Sequence, residues 1–229
     1  MEQKLSTTAQ KPILENKHKM DFIQELIERY PTLSICKTEI ISAAECLIRS
    51  YELGGKLLVA GNGGSAADSD HITGELLKSF VKKRKPPLDF TEKLKTIDQE
   101  SGEYLSDKIQ GSLPAIALTN NSALMTASLN DVDGNVMFAQ QVNGLGKSGD
   151  VFLGISTSGS SRDIIYATVV AKAKGLKTIA LTGKDGGKLK SISDISIVVP
   201  QKETFKIQEL HLPVYHALCL TVEEYFFKE

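Results

Sequence analysis

The most distinctive candidate for ligand chemistry is a run of five hydroxyl side chains and one glycine at residues 156–161, with the sequence STSGSS. It stands between an apolar stretch typical of a strand and a stretch typical of a helix. Free backbone N–H groups and the positive end of the helix dipole favour an anion at such a junction. A helix cap needs only one hydroxyl, so a phosphate cradle is favoured over an ordinary serine-rich cap.

A second candidate loop, residues 61–65 with the sequence GNGGS, follows another apolar stretch. Its glycines would let a ligand approach the backbone closely. The loop matches neither the Gly-x-Gly-x-x-Gly pattern nor a Walker loop, because no Gly-Lys-Ser/Thr follows. We therefore interpret it as part of a ligand site that does not take a dinucleotide or ATP.

Two pairs of side chains on predicted helices could transfer protons or bind a metal ion. His71 and Glu75 are four residues apart and share one helix face, which suits two metal ligands, an acid and a base, or an ordinary surface pair. Gln208 and His216 are separated by about 80° around a helix axis, so both can point into one cleft. His211 lies between them and is interpreted as a structural histidine with satisfied hydrogen bonds.

The elements that must position these residues alternate between apolar strands and helices. Strands are predicted at residues 56–60, 114–118, 150–155, 177–182 and 194–199, and helices at about 64–80, 122–145, 161–174 and 205–227. Continuous apolar strands of this kind indicate a sheet covered on both faces. The prediction is a three-layer, doubly wound α/β fold with five mainly parallel strands, which binds ligands at the carboxyl ends of its strands.

Two further segments flank or interrupt this pattern. Residues 1–54 are predicted to form an N-terminal helical segment, with a frayed stretch at 1–17 and helices at 19–30 and 33–53 that could form an oligomer contact. The remaining domain, 55–229, contains an insertion at about 81–112 that is too long for an ordinary loop. We interpret the insertion as an arm or lid with one or two short helices, and its basic run as solvated surface.

Composition narrows the class of protein. The 229-residue chain has a net charge of −1 and no basic excess, which argues against nucleic acid as a partner. Three cysteines without a Cys-x-x-Cys pair, Cys36, Cys46 and Cys219, predict reduced, buried thiols. Neither an apolar signal core nor an apolar run of about 20 residues is present, so a soluble cytoplasmic protein outside the membrane is expected.

Four separated segments together resemble the signatures of a known family. They are residues 61–71 with Glu75, residues 154–161, residues 181–187 and residues 207–211. In this order they resemble the phosphoheptose isomerases, which belong to the sugar isomerase (SIS) fold family. The resemblance covers about residues 33–227 apart from the insertion.

The resemblance implies a flavodoxin-like SIS domain and a homotetramer with active sites at subunit contacts. It implies conversion of sedoheptulose 7-phosphate to D-glycero-D-manno-heptose 7-phosphate through an ene-diol, for the heptose of surface glycans. Glu75 and His216 match the acid/base pair, and one zinc ion per subunit would be bound by His71, Glu75, Gln208 and His216. The substrate-binding positions are Asn62, Gly63, Gly64, Ser65, Glu75, Asn130, Asp131, Ser156, Thr157, Ser158, Ser161 and Gln208.

Departures from the family pattern keep two alternatives open. Many members carry Gly-Arg where this chain has Lys78 and Ser79, and the insertion is an addition. These differences allow an isomerase of another phosphosugar. The second alternative is a non-catalytic SIS protein, either a sugar-phosphate sensor or a partner of the bacterial replication initiator. The presence of Glu75 and His216 favours the enzyme.

Overall fold

A computed structural model describes residues 21–227 as a parallel sheet between two layers of helices. Within this range five strands form the sheet in the order β2-β1-β3-β4-β5, and every neighbouring pair is parallel. The predicted doubly wound fold is therefore confirmed. The predicted frayed segment at 1–17 lies outside the described residues. The strands are β1 Leu57–Gly61, β2 Ala115–Ala117, β3 Val151–Ser156, β4 Lys177–Thr182 and β5 Ile195–Val198.

Ten α-helices in the described range surround the sheet. They are α1 Phe22–Arg29, α2 Lys37–Glu52, α3 Gly64–Leu77, α4 Leu88–Ile97, α5 Gln99–Lys108, α6 Ser122–Asp131, α7 Met137–Leu145, α8 Arg162–Ala173, α9 Gly187–Ile192 and α10 Thr204–Phe226. Short 3₁₀ turns stand at Pro31–Cys36 and Gly134–Val136. None of these helices is both long enough and apolar enough to cross a membrane.

Strand β3 shows why the apolar runs form central strands. All six of its residues are buried. Val151, Leu153 and Ile155 join one hydrophobic cluster, which contains side chains of α2, α3 and α10. Phe152 joins the other cluster, which contains side chains of α7 and α8. Since successive side chains point to opposite faces, a strand covered on both sides has to be apolar throughout.

The N-terminal helices are part of the same packing layer as α3 and α10. Ile23 and Leu26 of α1 and Ile40 and Ile48 of α2 belong to the cluster that also contains strand residues such as Val59. α1 and α2 both contact α10, which continues without interruption through Pro213. The division into a helical segment at 1–54 and an SIS domain at 55–229 stays a prediction, as does an oligomer contact through these helices.

The insertion contains two short helices, as predicted. α4 and α5 pack against each other as a helical hairpin. They cross closely at Gly102, where an added Cβ would lie 2.5 Å from the Cα of Lys95. The hairpin is joined to the domain at its base, where the N–H of Gly111 donates to the carbonyl of Arg84 and that of Leu113 to the carbonyl of Leu76. Its role as an arm or lid stays a prediction.

The interpretation of the basic run as solvated surface is wrong for Arg84, because its side chain is fully buried at the base of the hairpin. Its Nε donates to Oε1 of Glu223 on α10 at 2.7 Å. Nη1 and Nη2 donate to the carbonyls of Leu76 and Glu75, each at 2.7 Å. Composition suggested a surface position, but a buried guanidinium is tolerated here because a carboxylate and the last carbonyls of α3 accept its hydrogen bonds.

Candidate active site

The predicted phosphate loop connects β3 to α8 at the carboxyl edge of the sheet. The chain turns at Gly159, whose φ of +64° suits glycine and disfavours other residues. The hydroxyl oxygens of Ser156 and Ser161 lie 2.9 Å apart across the turn. The loop therefore has the predicted position, with hydroxyl groups around the N-terminus of a 12-residue helix.

The loop after β4 braces the phosphate loop. The N–H of Gly183 donates to the carbonyl of Thr157 at 3.2 Å, and the N–H of Leu189 donates to the carbonyl of Gly159 at 2.9 Å. A Cβ added to Gly159 would come within 1.9 Å of the carbonyl oxygen of Gly186. Residues 181–187 are one of the motifs in the sequence, but neither α9 nor this contact with the phosphate loop was predicted from it. The adjacent glycines Gly186 and Gly187 are the feature of the sequence that indicates a tight turn at this point.

The glycine loop after β1 meets the phosphate loop through a side-chain contact. Nδ2 of Asn62 donates to Oδ2 of Asp163 at 2.8 Å, and Asp163 stands in the first turn of α8. On the other side, a Cβ added to Gly64 would lie 2.5 Å from Nε2 of Gln208. The motifs in the sequence did not indicate Asp163, although an acidic residue in the first turn of a helix is a recognisable signal.

The remaining predicted substrate residues are distributed around this edge. Ser65 is buried in the first turn of α3, and Gly63 precedes it with a φ of +57°. Asn130 and Asp131 are exposed at the end of α6, where Nδ2 of Asn130 donates to Oδ1 of Asp131 at 2.7 Å. The 3₁₀ turn that follows them packs against α8. We call Asn62, Gly64, Gln208 and residues 156–161 the phosphate-loop cluster.

The predicted acid/base residues form a second group, the His–Glu cluster of His71, Glu75 and His216. Nε2 of His71 lies 3.1 Å from Oε1 of Glu75, one turn along α3. The ring of His216 on α10 packs edge-on against that of His71, with centroids 5.1 Å apart. Burial lowers the pKa of His216, and the neighbouring imidazole of His71 lowers it further. A neutral imidazole at this position can accept a proton.

The two clusters lie at different heights along α3 and α10. Glu75 is 11 residues beyond Gly64, or about 16 Å along the helix axis, and His216 is about 12 Å beyond Gln208. Gln208 accordingly stands beside the first turn of α3, whereas His216 stands beside His71. A single chain therefore brings together the loop residues with Gln208, and Glu75 with the two histidines, but does not join the two clusters.

Comparison with known proteins shows to which family the chain belongs. The SIS domain family model matches residues 105–183. The chain is 43% identical over 189 residues to a phosphoheptose isomerase of Thermodesulfovibrio yellowstonii, covering 82% of this chain and 81% of the relative. A phosphoheptose isomerase of Nitratiruptor sp. is 39% identical over 207 residues, covering 89% of this chain and 97% of the relative. The chain belongs to the phosphoheptose isomerase family.

Solved structures with that name have the same fold. A phosphoheptose isomerase from Francisella tularensis superposes with a TM-score of 0.70 at 33% identity, covering 88% of this chain and 94% of that one. One from Neisseria gonorrhoeae gives 0.68 at 33% identity, covering 87% and 94%. The predicted family, SIS fold and enzyme class, a phosphosugar isomerase, are confirmed. The roles of individual residues stay predictions.

The His–Glu cluster has side chains of the kinds that bind zinc, since imidazoles and carboxylates are common zinc ligands. Nε2 of His216 is buried and, within the described residues, has no hydrogen-bond partner, so this nitrogen is available to bind a metal ion. Across residues 21–227, however, no three side chains of His, Cys, Asp and Glu are grouped so as to hold a metal ion. His71 and Glu75 bond to each other instead.

His211 is structural, as predicted, but its hydrogen bonds are not satisfied. The residue is fully buried, and within residues 21–227 neither ring nitrogen makes a hydrogen bond of good geometry, although the backbone of Thr182 lies close enough to interact weakly with the ring. Burial lowers the pKa of His211 to about 4, an effect that the backbone of Thr182 only partly offsets. The ring is therefore neutral in the folded protein at neutral pH.

This burial predicts a pH-dependent stability. Unfolded His211 takes up a proton near its ordinary pKa of 6.5, whereas the folded form resists protonation down to about 4. Stability is thus fully present above pH 6.5 and falls as pH decreases toward 4, by a total of about 3 kcal/mol from this group. Urea unfolding across that range should show a shallower pH slope in His211→Leu than in the wild type. Parallel slopes would contradict the assignment.

Proposed function

We propose that the chain interconverts sedoheptulose 7-phosphate and D-glycero-D-manno-heptose 7-phosphate. The observation that carries the proposal is the His–Glu cluster, where Glu75 lies 3.1 Å from His71 and His71 packs on His216. Family membership supplies the substrate, because the relatives named above are phosphoheptose isomerases. The phosphate-loop cluster supplies the anchor for the phosphate group.

The chemistry needs one base at carbon and one group that moves protons between oxygens. In the proposed reaction Glu75 removes the proton from C1 of the ketose, and the C–H electron pair becomes the C1–C2 double bond of the ene-diol. His216 moves a proton between the two oxygens, and Glu75 returns its proton to C2 to give the aldose. The lowered pKa of His216 suits this role, because its neutral ring accepts a proton before it donates one.

We propose that the working enzyme is a homotetramer whose active sites form where subunits meet. The separation of about 16 Å along α3 between Gly64 and Glu75 supports this arrangement. A phosphate held by the loop of one subunit would place the reacting carbons beside the His–Glu cluster of another. Measurement of the oligomeric state by light scattering, and complementation between inactive Glu75 and inactive loop variants, would test the shared site.

Zinc also remains a proposal, with His71, Glu75, Gln208 and His216 as the residues that would hold it. Because Gln208 lies about 12 Å along α10 from His216, binding by all four would require Gln208 and the His–Glu cluster to come together where subunits meet. A bound zinc ion would polarise the substrate carbonyl and stabilise the ene-diolate. Binding would require His71 to give up its hydrogen bond with Glu75. Equilibrium dialysis of zinc against the wild type and His216→Ala tests the proposal; equal uptake by both proteins would contradict it.

We propose a cytoplasmic location on the basis of the three free cysteines.

The substrate is tested by incubating the full-length protein with ketose phosphates of different chain length and following aldose formation. We expect the highest kcat/KM with sedoheptulose 7-phosphate. Faster turnover of a shorter ketose phosphate would favour an isomerase of another phosphosugar, an alternative supported by Lys78, Ser79 and the hairpin. Tight binding of all sugar phosphates without turnover would favour the sensor.

Loss of the Ser161 hydroxyl should weaken phosphate binding. Ser161 is the residue before α8, and within the described chain it makes no side-chain capping bond, so Ser161→Ala loses only the hydrogen bond with the Ser156 hydroxyl and should lower stability by no more than about 1 kcal/mol. Removing one hydrogen bond to a charged group is expected to raise KM by about 10–100-fold. Ser160→Ala is the matched control, because Ser160 is exposed in the same loop. Equal KM values for the two variants would contradict a phosphate contact by Ser161.

A further inference from the structure

The side chain of Asp163 joins the glycine loop after β1 to the first turn of α8. Gly61, the last residue of β1, pairs with Ile155 of β3, so Asn62 lies beside the start of the phosphate loop. Nδ2 of Asn62 donates to Oδ2 of Asp163 at 2.8 Å. Oδ1 of Asp163 accepts the backbone N–H of the next residue, Ile164, at 2.9 Å. Each oxygen of this carboxylate therefore has its own donor.

This pairing fixes the orientation of the Asn62 amide. A carboxylate only accepts hydrogen bonds, whereas an amide has a nitrogen that donates and an oxygen that accepts. Asn62 must therefore turn its nitrogen toward Asp163, which leaves Oδ1 on the other side of the amide. Asn62 is exposed, and within residues 21–227 its Oδ1 accepts no hydrogen bond. This oxygen is available to accept a hydrogen bond from a ligand.

Asp163 itself does not favour an anion. The residue is only 9% exposed and belongs to the first turn of α8, where the positive end of the helix dipole stabilises its charge. Both of its hydrogen-bond donors are uncharged. The phosphate loop leads into the same end of α8, and a negative charge there repels an anionic ligand. Any benefit of Asp163 for ligand binding therefore has to come through Asn62.

We propose that Asp163 is a positioning residue that holds the amide oxygen of Asn62 toward the ligand, so that Asn62 recognises a sugar hydroxyl and not the phosphate group. A hydroxyl can donate to this oxygen. A phosphate ester has a charge close to −2 at neutral pH, so its oxygens only accept and are repelled. The phosphate is then held by residues 156–161 and the N-terminus of α8. The inference deepens the proposed function and rests on it, because it requires the phosphate-loop cluster to bind a sugar phosphate.

Asp163→Asn should reverse the orientation of the Asn62 amide. The N–H of Ile164 still needs an acceptor, so the introduced amide keeps its oxygen there and presents its –NH₂ group to Asn62. Asn62 then has to offer Oδ1 to that group and turn Nδ2 toward the ligand. The variant keeps the size of the side chain, removes one negative charge and adds a donor that can bind phosphate.

The orientation is tested by calorimetric titration of the full-length protein with inorganic phosphate and with sedoheptulose 7-phosphate. In Asn62→Ala we expect unchanged affinity for inorganic phosphate and about 3–10-fold weaker binding of the sugar phosphate, the effect of one neutral hydrogen bond. In Asp163→Asn we expect inorganic phosphate to bind about 10-fold more tightly, because a donor to a charged group is gained. Damage to the fold would weaken both ligands in both variants.

The double variant Asn62→Ala with Asp163→Asn separates the amide from the charge. The proposal predicts that most of the gain in affinity for inorganic phosphate disappears when the Asn62 amide is absent. An equal gain with and without Asn62 would show that Asp163 acts through its charge alone and would overturn the proposal. Equal weakening of both ligands in Asn62→Ala would also overturn it, because Asn62 would then contact the phosphate.

Asp133→Asn is the matched control. Asp133 is an exposed carboxylate that likewise accepts a backbone N–H and a side-chain amide, both from Asn135 at 2.8 Å, outside the phosphate-loop cluster. It should leave both affinities unchanged. If the wild type binds sedoheptulose 7-phosphate without turnover, the proposed isomerase function fails, whereas the affinities still decide the role of Asp163. If the wild type binds neither ligand, the phosphate site and this inference both fail.

Discussion

The Glu75→Gln variant should bind substrate normally and lose isomerase activity, with kcat reduced by about 10²–10⁴-fold. Gln has the size and shape of Glu but is not a base, so proton removal from C1 stops while packing is kept. The side chain of Glu75 is only 13% exposed, and its contacts are polar ones with His71 and Lys78. An amide can preserve both contacts, so the free energy of unfolding should change little.

The same variant distinguishes the enzyme from its alternatives. Steady-state kinetics give kcat and KM, and calorimetric titration with sedoheptulose 7-phosphate gives the affinity without turnover. Glu92→Gln is the matched control: Glu92 pairs with Lys95 at 2.9 Å on the α4–α5 hairpin, so the same charge is lost elsewhere. Full activity in Glu75→Gln would mean that the base is another residue. An equal loss in Glu92→Gln would trace the effect to net charge or to the hairpin.

Local patterns in the sequence predicted the strands and both ligand loops, because each is a local consequence of burial or turn chemistry. β3 is apolar at nearly every position since helices cover both of its faces. Residues 156–161 contain hydroxyls and a glycine because a tight turn precedes a helix there. Where the turn was less evident, the prediction was less accurate: the continuous helix expected at 122–145 is divided by the Asp133 turn, whose side chain bonds to Asn135.

Contacts between distant segments could not be predicted, because periodicity reports whether a side chain is buried but not what it meets. Arg84 and Glu223 are 139 residues apart in the sequence, and Asn62 and Asp163 are 101 apart. From the sequence alone, Arg84 looks like part of a basic surface run and Glu223 like an ordinary residue of a helix. In the candidate site the same limit applies to Tyr215, which reads as an apolar helix position until its hydroxyl is placed between Asp68 and His71.

Breaking the Arg84–Glu223 pair should have the largest effect on stability. Both side chains are essentially inaccessible, at 0% and 1% exposure. Glu223 also accepts the N–H groups of Phe80, Val81 and Lys82, so one carboxylate holds the chain as it leaves α3. Removing one partner leaves a buried charge without compensation, and Glu223→Gln is expected to cost about 3–5 kcal/mol. Urea unfolding measures this loss.

A double-mutant cycle measures the interaction between Arg84 and Glu223 separately from the contacts that each makes with its other neighbours. Arg84→Met should cost a similar amount, but Arg84→Met with Glu223→Gln should cost clearly less than the sum, because no uncompensated charge remains. Glu92→Gln, which breaks an exposed pair, should cost less than about 1 kcal/mol. Activity should fall in both buried variants, since Arg84 bonds to the carbonyl of Glu75 itself and Phe80 packs on His216. Strictly additive losses would show that Arg84 and Glu223 stabilise the end of α3 independently, and that the base of the hairpin is not coupled to the His–Glu cluster through this pair.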